Sequence, residues 1–403
     1  MYDEPNKLDP TTLGQRLTEA RKDARITQAD AAAYLGMSRP TFIGMEKGVR
    51  PASPDEIVKL AAFYGRSVHE LVRPGAPFVE LEPHMRAALD SESRDIEGMT
   101  ASVRDLADLA GDYRELETIL HAPLKIVHPP EITLPSRGSL VDFAEDVAQR
   151  ERQRLQLGDG PLHDLRTILE NAVGVRIFYG ALPKGYSGMY AYVPDLGYCI
   201  LINRNHLRSL RHIVSLAHEY GHFLCDRHRP GVDRTDDERK PRNEQFCDAF
   251  AMGLLMPRSS VRQYFHDTVE SSGDFKVSNL VGLSSFYGVS LEAATRRLEA
   301  LGLVSKGTWM NLKEQGFSPK EVREHLGIAE QNLPLPEALP QRYRLLAVSA
   351  FLQDLISEGQ LSRFLRCDRL KARQIVDELS NQTVDWSDGA DRRQAQLGFS
   401  LIA

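Results

Sequence analysis

Two histidines and a glutamate form the grouping in this sequence that is best suited to chemistry. Residues 215–224 read S-L-A-H-E-Y-G-H-F-L, so His218 and His222 stand four apart with Glu219 between them. Residues four apart on a helix lie one turn from each other on the same face. Both imidazoles could therefore reach one metal ion, with the glutamate acting on a water at that ion. The alternative is a helix with two surface histidines and no metal.

A second helical pattern downstream supplies further oxygen donors. Residues 243–257 read N-E-Q-F-C-D-A-F-A-M-G-L-L-M-P, with apolar residues at helical spacing and a proline as the stop. Glu244 and Asp248 lie one turn apart in it. A catalytic zinc site takes three protein ligands and a water, so this helix can supply the third ligand. A carboxylate one turn on can hold a ligating histidine through its other ring nitrogen. The alternative is that both are ordinary exposed charges.

Together the two motifs resemble those of the ImmA/IrrE metallopeptidases of bacteria and their mobile elements. The resemblance rests on H-E-x-G-H followed by E-x-x-[AC]-[ND]-x-F-A-x-x-L-L-M-P, and it is specific from about residue 140 to residue 257. It implies a minimal zincin fold and a zinc metallo-endopeptidase of the gluzincin-like type, with one Zn²⁺ per chain. Some members of that family cleave or inactivate helix-turn-helix repressors. The site it implies comprises the metal ligands His218, His222 and Glu244, the general base Glu219, and Asp248 as the partner of a ligating histidine.

The four cysteines show no C-x-x-C pair, which argues against a disulfide framework and fits a reducing cytoplasm. Cys247 stands where the family more often has alanine, and we interpret it as a packing variant. Cys225 follows His222 by three residues, so helix geometry does not exclude it as a ligand. Because Glu244 already fills the third position, core packing is the favoured interpretation. Zinc itself is an expectation, since two histidines and a carboxylate suit several divalent metals.

Composition indicates a globular protein of two to three domains. The chain has 403 residues, 42% of them hydrophobic, and a formal net charge of −6. It contains no apolar run long enough for a membrane span, and its N-terminus does not resemble a signal peptide, so we expect a cytoplasmic protein. The net charge argues against a protein that coats nucleic acid. Residues 12–73 are locally basic and residues 74–120 strongly acidic, which marks a domain boundary.

The N-terminal block reads as five short helices. Its phrase T-Q-x-x-x-A-x-x-L-G-x-S-x-x-T-[FI]-x-x-x-E-x-G resembles the XRE (Cro-like) helix-turn-helix family. In such domains the second helix of the motif presents its N-terminal side chains to the major groove of DNA. The resemblance implies that DNA is contacted by Gln28, Ser38, Arg39 and Thr41. The alternative is a helix-turn-helix kept as a dimer or docking module without affinity for DNA.

The remaining segments complete a mainly α fold with a small β-sheet (α+β). We predict a helix-turn-helix domain at 1–73, an acidic helical linker ending in a proline-rich extended segment at 74–138, a zincin-like peptidase domain at 139–265, and a helical C-terminal region at 266–403. The acidic helix is either a coiled-coil-like dimer helix or a solvated linker. Residues 277–301 resemble a helix-turn-helix, which we expect to pack on the peptidase core. The basic stretch 361–373 is either an accessory DNA surface or a solvated helix face.

These features predict a transcriptional regulator that carries a zinc-dependent endopeptidase. Its partners would be a double-stranded DNA operator and a protein substrate, such as a repressor or the chain itself, in a stress or mobile-element response. We expect no membrane partner, and a homodimer is left open. The alternative is a non-proteolytic repressor or antitoxin whose zincin domain senses a metal or a protein. We further expect a strand of the hairpin at 186–202 to border the cleft, with Tyr186, Tyr190 and His228 as candidates for stabilising the oxyanion.

Overall fold

The computed structural model describes residues 9–24, 26–65, 68–72, 96–124, 128–162, 164–193, 197–206, 210–229, 231–234, 241–315 and 336–384. The chain divides into two compact units, residues 1–77 and residues 78–403. Within the described ranges, no helix combines the length and apolar character needed to cross a membrane.

The first unit is a five-helix domain, as the sequence predicts. Its core buries Leu17, Phe42, Met45 and Leu60 almost completely. Each helix of the helix-turn-helix starts at a side-chain cap, because Thr27 and Ser38 each accept a hydrogen bond from a backbone N–H of the first turn. The helices are α1 (Pro10–Asp23), α2 (Gln28–Tyr34), α3 (Arg39–Glu46), α4 (Pro54–Tyr64) and α5 (Val68–Val72).

The second unit places helices on both faces of a small sheet. Its strands are β1 (Arg176–Gly180), β2 (Tyr186–Val193), β3 (Gly197–Asn203) and β4 (Gly231–Arg234). Its helices are α6 (Ile96–Ile119), α7 (Leu140–Arg154), α8 (Leu165–Ile168), α9 (Arg211–Cys225), α10 (Arg242–Leu255), α11 (Arg258–Ser272), α12 (Val277–Tyr287), α13 (Leu291–Ala300), α14 (Thr308–Glu314), α15 (Gln341–Leu352), α16 (Glu358–Phe364) and α17 (Arg369–Val384).

The sheet has the strand order β1-β3-β2-β4. Strands β1 and β3 are parallel, and β2 is antiparallel to both β3 and β4. The expected hairpin is therefore present, but both of its strands are interior. Strand β4, which the sequence pattern did not reveal, pairs with the outer side of β2 from Tyr186 to Tyr190. That a hairpin strand borders the cleft stays a prediction.

Alternate residues of the strands serve two different cores, as the period-2 geometry of a strand requires. In β3, Tyr198, Ile200 and Ile202 pack on the core that contains α9 and α10. The neighbouring Cys199 and Leu201 pack on the opposite face, against α6 and the C-terminal helices. The sheet thus separates α9 and α10, the metal-motif helices that carry the predicted metal ligands, from the helices on its other face.

Helix α6 is a packed element and not a solvated linker. Its apolar stripe is buried against the sheet and the helices α15 to α17, so the pattern that resembles a coiled coil is used within the chain. The acidic residues of α6 meet the basic C-terminal stretch. Arg363 bonds Asp112 and Glu115 at 3.0 Å each, and Arg366 pairs with Asp105. Because Arg363 and Arg366 pair with acidic residues of α6, fewer cations of the basic stretch 361–373 are available to contact DNA.

The proline-rich segment before α7, expected to be an extended linker, also makes contacts with the second unit. The Ile132 N–H donates to the Leu224 carbonyl at the end of α9 over 2.7 Å, and the Ile132 side chain contacts the core. Arg242 at the start of α10 donates to the carbonyl of Pro135. The segment therefore supports both α9 and α10, the helices that carry the metal motifs.

The helix-turn-helix-like stretch forms α12 and α13 and packs on the metal-motif core, as predicted. Buried Arg297 of α13 pairs with Glu145 of α7 and donates to the Met256 carbonyl at the end of α10. A buried charge is stable only with such partners. This core continues beyond the expected boundary at residue 265 and includes Trp309.

Candidate metal centre

Three donor groups converge between α9 and α10. The Nε2 atoms of His218 and His222 are 3.2 Å apart. The Glu244 carboxylate lies 3.1 Å from the first of these nitrogens and 3.2 Å from the second. Both histidines are nearly fully buried, while Glu244 is partly accessible. The structure therefore brings together the three residues for which the sequence predicts metal binding.

The spacing of these donors fits a tetrahedral metal ion. An ion about 2.0 Å from each of three tetrahedral ligands holds those ligands roughly 3.3 Å apart. Two imidazole nitrogens and a carboxylate are also the donor set of catalytic zinc sites. The residues present therefore fit the metal that the sequence implies.

Each histidine is oriented by a carboxylate through its other ring nitrogen. The Nδ1 of His218 lies 3.0 Å from Asp248 Oδ1, and the Nδ1 of His222 lies 2.9 Å from Asp226 Oδ1. A carboxylate accepts only, so each Nδ1 carries the proton and each Nε2 presents a lone pair to the centre. The two carboxylates thus select the tautomer that can bind a metal.

The electrostatic field of the site favours a cation. Burial raises the pKa of Glu244, but hydrogen bonds with His218 and His222 outweigh it and hold this pKa below its ordinary value. Burial disfavours the imidazolium of His222, yet hydrogen bonds with Asp226, Cys225 and Glu244 raise its pKa well above the usual range. A divalent ion supplies the positive charge that protons supply otherwise, so metal and protons compete for the centre.

Glu219 directly follows His218 in α9 and is fully buried. A methyl group at Gly188 of β2 would stand 2.2 Å from Glu219 Oε1, so a side chain at this position would displace the carboxylate. Tyr198 of β3 donates a hydrogen bond to the Glu219 carbonyl at 3.3 Å, which fastens this turn of α9 to the sheet.

The three candidates for oxyanion stabilisation do not occupy equivalent positions. Tyr190 stacks on the His222 ring, with its hydroxyl 3.1 Å from Nδ1, so it positions the ligand from the side away from the donors. A register shift in β2 between Tyr186 and Gly188 turns Tyr186 to the opposite face of the sheet, which makes that expectation wrong. His228 is largely exposed and stacks edgewise on Tyr192.

The predicted DNA contacts divide into exposed and internal residues. Ser38, Arg39 and Thr41 are exposed at the first turn of α3, where the Ser38 and Thr41 hydroxyls lie 2.7 Å apart. Gln28 is half-buried, and its amide donates to Glu46 Oε2 at 2.8 Å. Glu46 in turn pairs with Arg21 at 2.7 Å. Gln28 thus belongs to a network that links α1, α2 and α3.

Comparison with known families agrees with both parts of the sequence prediction. A model of a helix-turn-helix domain matches residues 12–73, and a model of the IrrE N-terminal-like domain, a peptidase M78 family, matches residues 170–299. The chain joins a helix-turn-helix domain to an IrrE N-terminal-like domain. The second match indicates a metallopeptidase-like domain and spans β1 to α13, including both metal-motif helices.

Other comparisons add little. No curated protein matches the chain. Among solved structures, the crystal structure of ComR from Streptococcus suis is similar over 94% of this chain and 96% of that chain, at 11% identity and a TM-score of 0.16. A TM-score this low carries no argument about the fold of either domain.

Two cysteines of the IrrE N-terminal-like domain adjoin the metal centre. The sulfur of Cys247 lies within 4.8 Å of donor atoms of His218 and His222. The sulfur of Cys225 lies within the same distance of donor atoms of His222 and Asp226. The Glu244 oxygens lie 3.1 and 3.2 Å from the Nε2 atoms of His218 and His222, the spacing expected of ligands that share one tetrahedral ion. We therefore keep the carboxylate as the candidate third ligand.

Asp226 is the site residue that the sequence analysis missed. It follows His222 by four residues, the same spacing that joins the two histidines, and this spacing was the available signal. It lies just past the last residue of α9, where a helix pattern no longer indicates a shared face. Asn243 donates to its second carboxylate oxygen at 2.9 Å and so ties it to α10.

We expect the purified protein to contain about one divalent metal per chain, mainly zinc, because the donor set and spacing suit it. His218→Ala should abolish this content, whereas His228→Ala should keep it, since His228 is exposed and outside the donor set. Elemental analysis of the protein and both variants measures this. Metal that persists in His218→Ala would contradict the assignment.

Asp226→Asn and Asp248→Asn should weaken metal binding by about 10- to 100-fold, because each removes the charge that orients a histidine. The loss should be larger for Asp226, whose side chain is 11% exposed against 46% for Asp248, since water screens the more exposed charge. Competition titration with a chromogenic chelator gives the two affinities. Equal affinities for wild type and both variants would refute the orienting role.

Proposed function

We propose that this chain is a DNA-binding transcriptional regulator with a zinc-dependent endopeptidase that cleaves a regulatory protein, either a repressor or the chain itself, in a stress or mobile-element response. The observation that carries the peptidase proposal is the convergence of three donors, two of them on the helix in which the fully buried Glu219 directly follows His218. A purely structural metal site has no need of a general base. The helix-turn-helix domain supports the regulatory half of the proposal.

The metal would sit between His218, His222 and Glu244, where it would lower the pKa of water and polarise the substrate carbonyl. The residues of the chain then manage protons and orientation. Glu219 takes a proton from the attacking water at its carboxylate and delivers that proton to the leaving amine. Its burial against Gly188 excludes bulk water from this carboxylate and favours proton transfer to the reactants.

Three features keep the proposed machinery rigid. Asp226 and Asp248 fix the imidazole tautomers, while Tyr190 stacks on the His222 ring at a centroid distance of 4.6 Å. A methyl group at Gly231 of β4 would stand 2.5 Å from the Tyr190 hydroxyl, so β4 closes over this tyrosine. Because the metal-ligating side chains are already held in place by packed elements, they lose little conformational entropy when a metal binds. The site is therefore preorganised.

Glu219→Gln should keep the metal and lose proteolysis by at least about 100-fold, because the amide cannot accept the proton. Wild type and variant, both metal-loaded, are incubated with a proteome-derived peptide mixture, and new termini are counted by mass spectrometry. Metal analysis of the same samples shows whether activity is lost because the carboxylate of Glu219 is missing or because the variant no longer binds the metal.

Equal cleavage by wild type and Glu219→Gln would refute the role of the base. A wild type that holds its metal but produces no new termini in peptides, in itself or in purified repressors would favour the alternative function, a metal- or protein-sensing regulator without turnover.

Arg39→Ala should weaken operator binding by roughly 5- to 100-fold, because Arg39 is an exposed cation at the first turn of α3. The matched control is Lys59→Ala, which removes the same charge from α4, where Lys59 already pairs with Asp55 at 2.7 Å. Duplexes selected from a random pool by the wild type are the probe in a mobility-shift titration. An equal loss of operator affinity in both variants would show that binding depends on the overall charge of the domain and would contradict a specific contact by Arg39.

A further inference from the structure

A pair of thiols bridges the two helices that carry the metal donors. Cys225 is the last residue of α9 and Cys247 lies in the middle of α10, and their sulfur atoms are 4.0 Å apart. Cys225 is partly exposed, whereas Cys247 is buried. Neither belongs to the donor set that binds the metal or to the proposed catalytic steps, so their proximity has no role in the function described so far.

Their surroundings allow the two sulfurs to approach but leave the helices little freedom. Cys225 Sγ donates weakly to Asp226 Oδ1 at 3.4 Å, and this contact breaks easily when the side chain rotates. The helices themselves touch one turn earlier. A methyl group at Gly221 would lie 3.0 Å from the Cys247 Cα and 3.0 Å from its sulfur. The two backbones are therefore already closely packed at that point, which opposes a further approach of the helices there.

We propose that Cys225 and Cys247 form a thiol–disulfide redox site, and that the disulfide weakens metal binding at the adjacent centre. The first half of this proposal depends only on the two thiols. The second half rests on the metal binding that the proposed function requires, and it does not depend on proteolysis.

The oxidant we name by class is a hydroperoxide. The more exposed Cys225 sulfur attacks the peroxide oxygen, the O–O bond breaks, and the thiol proton leaves with the departing oxygen as an alcohol or water. The Cys247 sulfur then displaces hydroxide from the sulfenic acid, and its own proton converts that hydroxide to water. Two thiols are oxidised by two electrons to one disulfide, and one hydroperoxide is reduced.

The effect on the metal follows from where the two cysteines stand. A disulfide brings its sulfurs to about 2.05 Å, roughly half of their present separation. Cys247 lies between Glu244 and Asp248 on α10, and Cys225 lies between His222 and Asp226 on the other side. Any part of this 4.0 Å gap that side-chain rotation does not close has to come from movement of α9 against α10, which shifts one set of donors against the other. Well-formed metal sites keep their ligand distances within about 0.2 Å of the standard values, so a shift larger than this weakens binding.

The remaining cysteines provide controls. Cys199 is fully buried on the opposite face of the sheet, and Cys367 lies in the turn between α16 and α17. Cys225→Ser and Cys247→Ser each remove one partner, while Cys367→Ser removes a thiol of intermediate exposure away from the centre.

The experiment exposes the full-length protein to hydrogen peroxide, with and without bound zinc. Thiols are counted, tryptic peptides are mapped, and released zinc is followed with a chromogenic chelator. We expect the loss of two thiols, a crosslinked peptide pair that contains Cys225 and Cys247, and an apparent zinc affinity at least about tenfold lower, all reversed by a dithiol reductant. Cys367→Ser should behave like the wild type, and both Cys225→Ser and Cys247→Ser should retain zinc under the same peroxide.

Other outcomes would overturn the proposal. A peptide map without the Cys225–Cys247 crosslink, in both zinc-free and zinc-loaded protein, refutes the redox site. A crosslink that forms while zinc affinity stays unchanged refutes the effect on the metal. Both readouts are independent of cleavage, so a protein that passes these tests but cuts no substrate would contradict the peptidase function and leave the redox site standing.

Discussion

The structure of the second unit depends on one electrostatic constraint, the convergence of two imidazole lone pairs and a carboxylate within 3.2 Å of one another. Such groups repel in a medium of low dielectric unless a cation lies between them. Asp226 and Asp248 strengthen the constraint, because each keeps a proton on the far nitrogen of its histidine. The fold therefore creates a position whose energy is lowest when a positive charge occupies it.

The remaining elements hold α9 and α10 where this convergence occurs. The sheet supports α9 through Tyr198 and Tyr190, the segment before α7 bonds the ends of both helices, and Gly221 lets the helices touch. Each contact lies outside the donor set. A donor set this close needs such support, because a shift of a few tenths of an ångström at a ligand changes its affinity for a metal.

Many charged side chains of this protein pair with one another within the chain. Acidic residues of α6 pair with Arg363 and Arg366 of the C-terminal region, and Glu46 ties Arg21 and Gln28 together inside the helix-turn-helix domain. Exposed cations such as Arg39 therefore stand out as the ones available to phosphate or bases. Net charge alone would not reveal this, because it counts paired and free groups alike.

The sequence by itself determined the chemistry of the centre, the helix-turn-helix domain and the strands β1 to β3. Helical spacing brings His218 and His222 onto one face, and caps and turn glycines act over a few residues, so both can be read locally. Only the tertiary structure decided the role of Asp226, the position of Tyr186, the strand β4 and the burial of α6. Each of these depends on contacts between segments that are distant in sequence or on a single register shift. A register shift exchanges the two faces of a strand while leaving its composition unchanged, so no local pattern records it.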